Sequence, residues 1–131
     1  MIGYSIKNVW RSKKYTSRSH ELKCVSCGRP FAESCHYTGV RQQSLGKGRG
    51  TKCTDLGTAD LCHECHAQFD NYSRPVPELS LIRNKLDPEE FDYIRKIFIS
   101  EEFMYYVFLT IHRRLELGDK IEFSKEYQNL F

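Results

Sequence analysis

The sequence has no apolar segment of the length that export or membrane insertion requires. Residues 1–15 contain no hydrophobic core region and carry Lys7, Arg11, Lys13 and Lys14, which argues against a secretory signal. The longest apolar stretch, around Phe103 to Ile111, is too short and too closely flanked by charge to cross a bilayer. These absences predict a soluble, cytoplasmic protein with no membrane partner. They also decide how the six cysteines in 131 residues are read: in a reducing compartment they are metal ligands or buried thiols, not a disulfide framework. A nucleotide-binding P-loop is absent as well. Gly46 to Lys52 is glycine-rich and basic, yet the spacing Gly, four residues, Gly-Lys-Ser/Thr is missing, as are the flanking strand and helix.

Acidic residues are scarce in the first half. Residues 1–54 hold eleven Lys or Arg against two acids, whereas residues 55–131 hold nine against fifteen, so a net charge of +3 conceals a basic half and an acidic half. A basic half facing a polyanion gives salt-sensitive binding through counterion release; a charge run can equally be a solvated face. Within it, Arg41, Lys47, Arg49 and Lys52 are candidate DNA-binding residues, because glycines let the main chain approach a sugar-phosphate backbone while the cations supply charge.

Two Cys-x-x-Cys pairs bracket that loop. Cys24-Val25-Ser26-Cys27 and Cys62-His63-Glu64-Cys65 are separated by thirty-four residues. Each such turn presents two sulfurs toward one point, and two turns complete the tetrahedron that Zn2+ adopts. Four thiolates saturate the ion, so this is a structural site, and chemistry must lie elsewhere.

Residues 1–20 hold Trp10, Tyr15, five basic residues and no acid, without helical or strand periodicity, which predicts an extended basic arm or a tail with an aromatic tucked onto the domain. Leu22 to Phe31 reads as a strand running into a zinc-knuckle turn, with Gly28 supplying a positive φ and Pro30 ending the regularity. Ala32 to Val40 reads as a short strand carrying Cys35 and His36. From Cys62 the pattern becomes helical, which puts His66 and Asp70 on one face with Cβ atoms about 5–6 Å apart. Residues 73–86, with Pro75 and Pro77, form a linker. Asp87-Pro88-Glu89-Glu90 is a strong helix start. The helical extension over 87–131 then shows a stripe of Phe91, Ile94, Phe98, Tyr105, Phe108, His112 and Leu115, with Gly118 as a left-handed stop. Ser100-Glu101-Glu102 allows two helices in place of one. The stripe predicts either packing on the zinc domain or a homodimer face, and His112 on it reads as a packed structural histidine.

His36, Asp55, His66 and Asp70 are the residue types that metal-dependent phosphodiester hydrolysis uses. A divalent ion needs nitrogen or oxygen ligands with free positions for phosphate and water, and a neutral imidazole can take a proton from the attacking water. His66 and Asp70 are candidate ligands of a catalytic Mg2+ or Mn2+, His36 is a candidate base, and Asp55 a candidate partner for the second ring nitrogen of His36. Taken alone, His66 beside the second pair also fits a surplus zinc ligand.

The order of these words resembles the zinc-containing branch of the HNH (ββα-metal) nuclease superfamily. Cys35-His36-Tyr37-Thr38-Gly39, Gly48-Arg49-Gly50-Thr51-Lys52, Asp55-Leu56 and Cys62-His63-Glu64-Cys65-His66 followed by Asp70 are similar to the YbcO-like prophage nuclease family and to phage RecA-dependent nucleases. The match covers residues 22–72 closely and the later helices loosely. It implies an α+β fold, a small zinc-stabilised HNH-like domain over 21–72 with a C-terminal helical extension, and a metal-dependent DNA endonuclease acting in phage recombination or DNA processing. It implies DNA as the partner, a recombinase filament as a further one, and a bacterial host cytoplasm as the location. His36 matches the base, Asp55 falls where the middle Asn or Asp lies, and His66 and Asp70 match the helix-borne ligands. Two positions depart from the pattern. Cys35 occupies a place where many HNH enzymes carry a metal-binding Asp or His, so it reads as packing, and Asp55 lies seven residues before Cys62, an uncommon spacing. Cys53, without a partner, reads as a buried thiol. The competing reading is a non-catalytic zinc module that binds DNA or a recombination protein.

Overall fold

The computed structural model describes residues 10–39 and 52–121. Its centre is a pair of antiparallel strands, β1 (Glu33–His36) and β2 (Thr58–Leu61), in register from Glu33 opposite Leu61 to His36 opposite Thr58. All four β2 residues are buried, because β2 pairs with β1 and packs against the C-terminal helix. After Cys62 the chain turns directly into α2 (His63–Asp70), with the Cys62 sulfur accepting the Cys65 N–H as an N-cap. The result is a strand pair followed by a helix, an α+β arrangement of the ββα kind.

The expected helix start at Asp87 is present in full. Asp87 and Glu90 form a reciprocal capping box with Pro88 in the first turn, and α3 runs unbroken over Pro88–Glu116. Gly118 ends it at φ +83°, with the Asp119 N–H bonded to the Arg114 carbonyl. Ser100-Glu101-Glu102 does not interrupt the helix, since the Ser100 hydroxyl donates to the Lys96 carbonyl instead of capping.

The helix turns a different face inward from the one its bulky residues mark. Ile99, Phe103, Met104 and Val107 are buried with Ser100, Thr110 and Arg114, while Phe98, Tyr105, Phe108 and Leu115 are each more than half exposed. His112 is exposed too, paired with Glu116 at 3.0 Å, so it is not the packed histidine expected. The reason lies in partners that periodicity does not see. Thr110 Oγ1 accepts the Asp60 N–H at 2.9 Å, and Arg114 donates to Asp60 Oδ1 at 2.7 Å, so polar side chains on this face bind β2 itself. Gly39 allows the close approach of α3, because a Cβ there would lie 2.6 Å from Ser100 Cβ.

Residues 10–21 correct the expectation of an extended arm. Ser12 caps α1 (Lys13–Ser17), which runs into a 3-10 turn over Arg18–Glu21. Trp10 and Tyr15 are buried and meet edge to face at 5.4 Å. The segment is held from outside: Arg114 donates to the Tyr15 carbonyl at 2.5 Å and lies 4.4 Å from the Tyr15 ring centre. Leu22 to Phe31 forms a turn without the expected strand. The linker region contains two 3-10 turns, Pro77–Leu81 and Arg83–Lys85. No described helix is long and apolar enough to cross a membrane.

Candidate metal centre and adjoining cleft

The four cysteines of the two pairs converge as their spacing predicts. Their sulfurs lie within 4.8 Å of one another, and Cys27 and Cys62 Sγ are 3.5 Å apart. A tetrahedron with metal–sulfur bonds of about 2.3 Å has sulfurs about 3.8 Å apart, so the donors are at zinc-site geometry. The knuckle is built by backbone bonds: the Cys24 N–H to the Arg29 carbonyl at 2.8 Å, and the Gly28 N–H, at φ +80°, to the Cys24 carbonyl at 3.0 Å. Burial raises the Cys24 thiol, but main-chain hydrogen bonds near Cys62, Cys27 and Ser26 outweigh it and bring the thiol down to about 7. A thiolate set at this geometry suits structural Zn2+.

Arg74 locks the centre onto α3. It donates to Glu102 at 2.9 Å, to Gln68 at 2.8 Å and to Ser26, and lies 4.8 Å from the Phe69 ring centre. The other two thiols play no part in the cluster. Cys35 and Cys53 are buried, and burial is the first cause that keeps both thiols protonated.

His36 and Asp55 come together at the far end of β1. His36 Nε2 is 2.8 Å from Asp55 Oδ1. A carboxylate oxygen accepts, so the hydrogen sits on Nε2 and Nδ1 is left with the lone pair. Burial pulls the His36 pKa down, against the pull of Asp55 in the opposite sense, and the net direction is below the usual imidazole value. Asp55 is held in turn by the N-terminal segment: the Ser12 N–H donates to Oδ2 at 2.7 Å and Arg11 to Oδ1 at 3.1 Å. Trp10 completes the splint, accepting the Asp55 N–H at 2.8 Å and donating to Thr54 Oγ1 at 2.9 Å.

His66 and Asp70 also meet, Nε2 to Oδ2 at 3.1 Å, as one turn of helix requires. On the other side of the ring, Nδ1 is 3.2 Å from Glu33 Oε1, and Glu33, Cys35 and His66 form a second group of possible metal donors within 4.8 Å. Glu33 belongs to no spaced motif in the sequence. Its only signal is alternation, which places it on the same strand face as Cys35.

Glu33, His36, Asp55 and His66 open onto one cleft of about 910 Å3, lined also by Arg11 and Lys13 among others. Lys52 is exposed at its edge and His20 lines the wall formed by the N-terminal segment. Arg41, Lys47 and Arg49 lie outside the described residues. No protein-family model, curated protein or solved structure matches the chain.

Proposed function

We propose that this chain is a metal-dependent DNA endonuclease of the HNH type, hydrolysing phosphodiester bonds during phage recombination or DNA processing. The carrying observation is a histidine tied to a carboxylate, His36 to Asp55, lining the same cation-edged cleft as His66 with its flanking carboxylates. The zinc cluster supports the reading as a scaffold, since it fixes the start of α2 beside the strand pair.

A divalent ion at His66 fits the nitrogen and oxygen donors gathered there, and when bound it supplies Lewis-acid polarisation of a phosphodiester oxygen. His36 Nδ1 accepts the proton of the attacking water. Asp55 keeps the Nε2 tautomer in place and offsets the imidazolium that results. Burial holds His36 neutral before the reaction, which is the form a base needs. Lys52 and Lys13 position the strand by charge, together with Arg41, Lys47 and Arg49 of the basic loop.

Nicking of supercoiled plasmid with added Mg2+ or Mn2+ tests this. Wild type is expected to nick and His36→Ala to lose the activity by at least about 100-fold; unchanged nicking by His36→Ala would remove the central claim. DNA binding without cutting under either metal would support a non-catalytic zinc module, in which the two ion pairs of His66 are structural.

A further inference from the structure

We infer that the second metal is seated between Glu33 and His66 Nδ1, and that Asp70 is a positioning residue behind the ring and not a ligand. The inference rests on the reading of His66 as the seat of a divalent ion and names the ligands of that seat.

His66 stands between two carboxylates. Glu33 Oε1 is 3.2 Å from Nδ1 and Asp70 Oδ2 is 3.1 Å from Nε2. A neutral imidazole carries one hydrogen, so it donates to one carboxylate and turns a lone pair toward the other. Either a second ring proton or a bound cation makes both contacts favourable, and the donor geometry fits the cation. Two donors each about 2.1 Å from one ion and at right angles are about 3.0 Å apart, so either spacing suits shared coordination.

The surroundings choose between the two sides. On the Nδ1 side, Glu33, Cys35 and His66 already bring three donor atoms within 4.8 Å of one another, and His63 Nδ1 lies 3.6 Å from Glu33 Oε2. Among the described residues, Asp70 belongs to no such group. Glu33 and His66 line the cleft where phosphate and water would enter, whereas Asp70 is not among its lining residues. Asp70 therefore has the position of the carboxylate that takes the remote N–H of a metal-bound histidine, fixing tautomer and ring angle. The rigidity is shared between elements: Glu33 comes from β1, paired to β2, and His66 with Asp70 from α2, one turn apart. An imidazole nitrogen beside a carboxylate suits a transition-metal dication such as Mn2+ better than Mg2+, which prefers an oxygen shell.

Titration of zinc-loaded protein with Mn2+, following the free-ion EPR signal, tests the assignment without reference to cleavage. Wild type is expected to take up one Mn2+ per chain. Glu33→Gln is expected to take up none over the same range; its side chain is 39% exposed, and unchanged zinc content and helical circular dichroism would verify its fold. Asp70→Asn should still take up one ion, about 10–100-fold more weakly, as loss of an outer partner does. Uptake by Glu33→Gln equal to wild type, abolition by Asp70→Asn alone, or no uptake by wild type would each overturn the inference. Uptake as expected in a protein that cuts no DNA would leave this site standing and remove the nuclease reading, whereas normal cutting by Glu33→Gln would do the reverse.

Discussion

Replacing Asp60 with Asn should cost about 3 kcal/mol of stability, at the lower end of the range for breaking a buried ion pair. Asp60 and Arg114 are both 0% exposed. One carboxylate oxygen accepts from Ser19 Oγ at 2.6 Å and Arg114 Nη2 at 2.7 Å, the other from Arg113 Nη2 at 2.7 Å. Asparagine keeps the shape and one acceptor, but removes the charge and turns an NH2 toward a guanidinium. Arg114 would then be a buried cation without a counter-charge. It keeps the Tyr15 carbonyl, Ser19 and the Tyr15 ring, which is why the lower end of the range applies. With a urea slope of about 2 kcal/mol/M for a domain of this size, the midpoint should fall by about 1.5 M. Glu116→Gln, which removes an exposed pairing with His112, should leave the midpoint in place. The double variant Asp60→Asn/Arg114→Met should lose less than Asp60→Asn alone, because it removes the stranded charge. A fall worth under about 1 kcal/mol for Asp60→Asn, or a double variant weaker than the single, would refute the reasoning.

Three further outcomes follow from the geometry. Cys24→Ser should lose the bound zinc, counted by elemental analysis, and with it the cooperative thermal transition, since structural zinc contributes about 10–16 kcal/mol of apparent binding free energy; full zinc content would show the four-thiolate assignment to be wrong. His36 should titrate below the ordinary imidazole value of about 6.5 in an NMR pH series. On acidification the unfolded chain takes up that proton first, so the His36 contribution to stability is complete above the ordinary value and is lost as pH falls toward the folded one; a midpoint at or above the ordinary value would contradict this. Phe103→Ala should destabilise by about 3–5 kcal/mol and Phe108→Ser by less than about 0.5 kcal/mol in denaturant unfolding. The reverse order would mean that α3 buries the face its aromatic stripe marks.

The four-cysteine cluster is readable from spacing alone because chemistry dictates it: two short turns, four soft donors, one point. The same holds for the start of α3, where Asp87, Pro88 and Glu90 each act within one turn. What the sequence did not disclose depends on groups distant along the chain. No pattern of five residues announces α1, which is stable because Trp10 and Tyr15 find apolar surroundings and Arg114 binds its carbonyl. The inward face of α3 differs from its aromatic stripe because Ser100, Thr110 and Arg114 have the composition of a solvent face, and Asp60 stands opposite two of them. At the candidate site, His36, Asp55, His66 and Asp70 could be singled out by residue type and resemblance. Glu33 and Arg11 could not, since each acquires its place only when β1 meets α2 and when the N-terminal segment meets residues 52–55.

The splint on Asp55 bears on the order in which the molecule assembles. The Ser12 bond to Asp55 closes a separation of 43 residues, and the Arg114 bonds that pin the same segment to the helix close separations of 95 and 99. Closing spans of that length is entropically expensive and slow compared with forming a helix or a knuckle. The two cysteine turns and α2 can form early from local contacts, whereas the His36–Asp55 pair reaches its final geometry only after residues 10–21 have been pinned between α3 and the strand pair. A chain caught partway would therefore hold its two separate cysteine turns and α2 and still lack the restrained His36.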